Sequence, residues 1–132
     1  MKTITIVLLA FLSTSFTDIE QLNVGDKAPK TDLKMESVDG KKASLADLAK
    51  ENGLCVIFSC NTCPYVIGWE DRYNDIYDLC KANGIEMILV NSNEARRDGD
   101  DAPKAMDKHA EKLGYKANYL IDSVVEKPNI KD

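Results

Sequence analysis

The chain has 132 residues, 44% of them hydrophobic and 30% charged, which suits one soluble globular domain. Its 17 Lys and Arg against 22 Asp and Glu leave a formal net charge of −5. That balance argues against nucleic acid or an anionic membrane surface as a partner.

Residues 1–17 read as a signal peptide. Lys2 is a short positive region, Ile4 to Leu12 is apolar, and Ser13-Thr14-Ser15 supplies small residues for cleavage. A buried N-terminal strand is the alternative. The stretch is short for a membrane span, and no cysteine follows it closely, so no stable membrane or lipid anchor is expected. The domain is then residues 18–132. Export places it in the periplasm or outside the cell, where disulfides persist.

Residues 18–30 form an extended lead-in broken by Gly25 and Pro29. Leu33 and Met35 alternate with polar residues, and Asp39-Gly40 is a turn signal, which predicts a hairpin of 31–36 with 41–44. Ser44 and Asp47 make a capping box for a short helix that Gly53 ends. The apolar run 54–59 predicts a strand buried on both faces. From Cys63 the period changes. Val66, Trp69, Tyr73, Ile76, Tyr77 and Cys80 share one face of a long helix starting near Pro64, with Gly84 after its end. Residues 85–90 form a second buried strand, and a right-handed crossover makes it the parallel neighbour of the first. A polar loop follows from Asn91 to Asp101. Pro103 opens a helix to Leu113 that Gly114 closes, and 119–121 form a short strand. The class is α/β.

Cys60-Asn61-Thr62-Cys63 stands at the strand-to-helix junction. Two cysteines at this spacing can close a small disulfide ring and open it again. A helix N-terminus favours the thiolate that attacks disulfides. Cys60, taken as the more exposed and nearer the helix start, is expected to attack, and Cys63 to resolve the mixed disulfide. An inert disulfide staple and half of a zinc site are the alternatives. A structural zinc wants four ligands, and Cys55, Cys80 and His109 offer no second close pair, so neither metal nor cofactor is called for.

The segment Phe58-Ser59-Cys60-Asn61-Thr62-Cys63-Pro64-Tyr65-Val66 resembles the active-site segment of the thioredoxin-like redoxins, among them members labelled peroxiredoxin-like or thiol-specific-antioxidant-like. Val24-Gly25-Asp26-Lys27-Ala28-Pro29, Glu70-Asp71-Arg72, Asn91-Ser92-Asn93 and Asp101-Ala102-Pro103-Lys104-Ala105-Met106 agree with it, so the resemblance covers roughly residues 24–125. It implies a three-layer fold with a mostly parallel central sheet and Cys60 and Cys63 as the redox pair. It also implies a cis-proline strand, a hairpin partner and a last helix after Asp122. Pro128 has no strand-like sequence behind it, so the C-terminal hairpin and helix are expected to be missing.

Several residues have a plainer reading. Cys55 and Cys80 read as core packing, and Trp69, Tyr73 and Tyr77 as an aromatic core stripe. His109 reads as solvated. Leu54 stands where many thioredoxins carry a buried acid. Pro64, Asn61 and Thr62 shape the motif. Asn91 and Asn93 lie in a loop at the same sheet edge as the dithiol; they are candidate substrate contacts, with a solvated loop as the plainer reading. The leading function is an exported thiol–disulfide oxidoreductase, with a disulfide-bearing protein or small thiol as substrate and a separate electron donor. One alternative is a peroxiredoxin-type peroxidase. Those enzymes place Thr three residues before the reactive cysteine, and here Ile57 and Cys60 stand there. The other is an inactive fragment acting as a binding module.

Overall fold

A computed structural model describes residues 22–122. The expected signal peptide and Pro128 lie outside the described residues. Strands β1 (Met35–Ser37) and β2 (Lys42–Ala43) form the expected hairpin, with Gly40 at φ 80° in its turn. Helix α1 (Leu45–Leu48) starts at Ser44 with a complete capping box. The Ser44 hydroxyl accepts from the Asp47 N–H at 3.2 Å, and the Asp47 carboxylate accepts from the Ser44 N–H at 2.8 Å. Ser44→Ala is expected to cost about 1 kcal/mol in a urea melt. The helix ends at Leu48, earlier than Gly53, because Ala49 leaves helical backbone at ψ 134°; Gly53, at φ 113°, instead turns the chain into β3 (Leu54–Phe58).

Three helical pieces follow: α2 (Pro64–Ile67), a 3-10 turn at Glu70–Arg72, and α3 (Tyr73–Ala82). Then come β4 (Glu86–Asn91), a 3-10 turn at Glu94–Arg96, α4 (Pro103–Leu113) and β5 (Asn118–Ile121). Gly114 closes α4 in the left-handed region, as its position predicts.

The sheet order is β2-β1-β5-β4-β3. Strands β3, β4 and β5 run parallel, and β1 joins β5 antiparallel. Helices cover both faces. Met87, Leu89, Tyr119 and Ile121 pack under Tyr73 of α3 and Met106 of α4. On the other face Met35, Ile88, Val90 and Leu120 meet Leu45 and Leu48 of α1. Burying these side chains supplies the main driving force for the fold.

Two expectations fail here for local reasons. Strand β3 is the last in the sheet, and its outer edge pairs with no strand among the described residues. Cys55 and Ile57 face the α3 side and pack, whereas Val56 and Phe58 face beyond the reach of one-turn α1 and are 36% and 68% exposed. The strand is therefore not buried on both faces. The aromatic stripe also breaks up. The helix is interrupted at Gly68, Tyr73 is buried, Tyr77 is half-buried, and Trp69 is 61% exposed with the Arg72 guanidinium 4.4 Å over its ring.

Candidate active site

The four residues 60–63 leave the C-terminal end of β3, one residue past Ser59, whose N–H still donates to Val90 in the sheet at 2.9 Å. Cys60 and Cys63 are half-buried free thiols. The helix begins at Pro64, so the cap position belongs to Cys63, and Cys60 lies three residues ahead of it. This corrects the expectation that Cys60 is the nearer to the helix start. Pro64 occupies the first helical position, where its missing N–H leaves nothing unpaired.

Two tyrosine hydroxyls bond the residues on either side of Cys60. Tyr73 donates to Ser59 Oγ at 3.3 Å, and Tyr119 donates to Asn61 Oδ1 at 3.3 Å. Burial pushes the Tyr73 phenol up, and pushes Tyr119 up to about 12. Negative charge on Cys60 acts in the same direction on both, and charge on Cys63 does so on Tyr73. Both phenols thus stay protonated at neutral pH, with their O–H dipoles within electrostatic reach of the thiol.

Asp101 holds the motif. It is fully buried, and its carboxylate accepts four hydrogen bonds, two per oxygen. Oδ1 takes the Asn61 backbone N–H at 2.7 Å and Asn91 Nδ2 at 2.8 Å. Oδ2 takes the Thr62 hydroxyl at 3.2 Å and Asn93 Nδ2 at 2.8 Å. That fills the acceptor capacity of an ionised carboxylate. Asn61 Nδ2 also donates to the Asp100 carbonyl at 2.8 Å. Arg97 braces the far side, donating to the carbonyls of Asp101 at 3.0 Å and Asn91 at 2.9 Å. Asn61 and Thr62 are thus both tied to Asp101, 40 and 39 residues further along the chain.

Asn91 has no exposed surface, and its amide is committed to Asp101 and to the Tyr119 hydroxyl, so it is not a substrate contact. Asn93 spends its amide on Asp101 and its N–H on Asn91 Oδ1 at 2.9 Å. The loop is not merely solvated either: it folds back onto residues 61 and 62. Asn, Asn and Asp in a loop leaving the same sheet edge as a motif with unpaired N–H groups were the available signal.

His109 is also not solvated. Its Nε2 lies 2.8 Å from Glu70 Oε2, which accepts from the Tyr115 hydroxyl at 2.9 Å as well. Burial first, and then Glu70, push the Tyr115 phenol up. This network fastens the turn after α2 to α4. Beside it a cleft of ≈ 400 Å³ opens against Asn61 and Thr62, with Lys108, His109 and Lys112 of α4 along its wall. Among the described residues no group of three or more His, Cys, Asp or Glu is placed to hold a metal, and no helix is long and apolar enough to cross a membrane.

A three-layer α/β sheet carrying a cysteine pair at the end of its edge parallel strand defines a thioredoxin-like redoxin. Residues 24–127 match the AhpC/TSA family, and the chain belongs to it. Among solved structures it is similar to an uncharacterized conserved protein from Geobacillus kaustophilus, at 30% identity and TM-score 0.66 over 71% of this chain and 50% of that one. It is similar in fold to peroxiredoxin Q of Xanthomonas campestris, at 17% identity and TM-score 0.53 over 68% of this chain and 52% of that one. A putative thiol-disulfide oxidoreductase from Bacteroides vulgatus aligns at 16% identity and TM-score 0.54 over 76% and 61%. The chain thus spans about half the length of the first two. No curated protein matches it.

Proposed function

We propose that this chain is an exported thiol–disulfide oxidoreductase working through Cys60 and Cys63. The observation that carries the reading is the built motif: two accessible thiols at the end of β3, in a loop pinned by a buried carboxylate. The Cys60 thiolate attacks a substrate disulfide, forming a mixed disulfide and releasing one substrate thiolate. The Cys63 thiolate then attacks Cys60 Sγ and releases the second. Two electrons and two protons pass to the substrate, and the chain is left with a Cys60–Cys63 disulfide that a separate thiol donor must reduce. The substrate is a disulfide-bearing protein or small disulfide. Export rests on residues 1–17 and places the reaction in the periplasm or outside the cell.

Peroxide reduction is the second reading, favoured by the family match and by the peroxiredoxin Q likeness. Ile57 and Cys60, three residues before the two cysteines, weigh against it. One experiment separates the two readings. Reduced chain is given a protein disulfide or hydrogen peroxide in parallel, and Cys63→Ser is run beside it. The expected result is rapid reduction of one substrate disulfide per chain, slow peroxide loss, and a mixed disulfide with the protein substrate that accumulates only in Cys63→Ser. Faster peroxide consumption than disulfide reduction would select the peroxidase. Release of fully reduced substrate by Cys63→Ser at the wild-type rate would end the two-cysteine mechanism.

A further inference from the structure

Helix α4 sorts its charges between two clefts. Lys108 and Lys112, four residues apart and both exposed, line the cleft of ≈ 400 Å³ beside Asn61 and Thr62. Asp107 and Glu111 of the same helix line another cleft, with Ser37 and Val38. Among the described residues neither lysine is paired with a carboxylate. The groups around them are mostly committed. Of the described residues lining the first cleft, Asp100 is the one acid, and it is exposed. His109 shares Glu70 with Tyr115, and behind the motif Asp101 takes its four donors. The Asn61 amide and the Thr62 hydroxyl are taken up by the Asp100 carbonyl, Tyr119 and Asp101. What the cleft still offers is two ammonium groups, on a chain whose formal net charge is −5.

We propose, building on the reductase reading above, that this cleft is the substrate subsite of the dithiol and selects small disulfides that carry carboxylates. Asn61 and Thr62 stand between the cysteines, each about 3.8 Å from its cysteine neighbour from Cα to Cα. A disulfide attacked at this loop therefore has its polar arms beside α4. The cleft falls in the range of about 300–1,000 Å³ that suits a small molecule. A carboxylate seated there meets Lys108 or Lys112. Without them an anionic disulfide would be repelled by the thiolate and by the negative chain as a whole. In the reaction Cys60 Sγ bonds one substrate sulfur, and the other leaves as a thiol. Cys63 then bonds Cys60 Sγ and frees the second thiol. Two electrons and two protons pass to the disulfide, which departs as two carboxylate-bearing thiols.

The test measures single-turnover rate constants of the reduced full chain with three small disulfides. Oxidised glutathione is anionic, cystamine is cationic, and bis(2-hydroxyethyl) disulfide is neutral. The decisive quantity is the change in the glutathione-to-cystamine rate ratio from wild type to variant, which cancels the reactivity of the disulfides themselves. Lys108→Glu with Lys112→Glu should lower that ratio about 10-fold or more at low salt, and high salt should remove most of the difference. Lys108→Gln with Lys112→Gln should lower it by a smaller factor, and decides the matter if the charge-reversed chain does not fold. Lys42→Glu, on β2 at the opposite end of the sheet from β3, alters net charge as much as Lys112→Glu does. It should move the ratio less than about 2-fold, against about 3-fold for Lys112→Glu. A ratio unmoved by the paired lysine variants, or moved equally by Lys42→Glu, would overturn the subsite and leave the reductase standing. A wild-type chain that reduces none of the three disulfides, the neutral one included, would overturn both.

Discussion

Cys60→Ser is expected to lower disulfide reduction by a factor on the order of 10³ or more, to the level of the reaction without protein. Serine cannot supply a thiolate, and Cys63 alone can attack but has no partner to release the product. Two local cues compete over which cysteine attacks. Cys63 holds the cap position of α2, but that helix has only four residues and Cys63 makes no side-chain capping bond there, so little dipole is available. The Tyr73 phenol is within electrostatic reach of both cysteines, but the Tyr119 phenol acts with Cys60, and burial holds both phenols protonated. The second cue should win. Timed alkylation of the reduced chain should label Cys60 ahead of Cys63, and Tyr119→Phe should narrow the difference. Preferential labelling of Cys63 would reverse the assignment, and an active Cys60→Ser would remove the dithiol from the mechanism altogether.

The strand–helix–strand unit of β3, α3 and β4 was legible because its apolar runs are long and bounded by Gly53, Gly84 and the motif. Helix α4 was legible from Pro103 and Gly114. The failures share one cause: local pattern carries no information about what a neighbour does. Trp69 keeps step with Tyr73 only in an unbroken helix, and the break at Gly68 with its 3-10 turn shifts the phase and turns the indole outward. An apolar strand reads the same at the middle of a sheet and at its end, so the exposure of Phe58 could not be seen. His109 looked solvated on a charged helix because Glu70, its partner, is 39 residues away. Asp101 looked like one more acid in the acidic stretch 98–101, although it is the fully buried one.

Asp101→Asn should therefore be far more damaging than its near-identical shape suggests. The amide keeps one acceptor oxygen and turns an NH2 group toward two of the four donors, so either Asn61 and Asn91 or Thr62 and Asn93 lose their partner. Buried donors left unpaired cost about 1–3 kcal/mol each, partly recovered by relaxation, which sets the expected loss at about 2–4 kcal/mol in denaturant unfolding. Thr62→Val removes a single 3.2 Å contact and should cost only about 1 kcal/mol. The reductase rate should fall further than stability alone explains, by a factor on the order of 10², because residues 61 and 62 set the spacing of the two thiols and a shift of about 1 Å suffices for such a loss. Measured at a temperature where the variant is fully folded, the fall should appear in kcat and leave KM nearly unchanged. An Asp101→Asn chain with wild-type kcat would make Asp101 a brace of the fold alone. One with wild-type stability as well would mean that the four hydrogen bonds do not hold the motif.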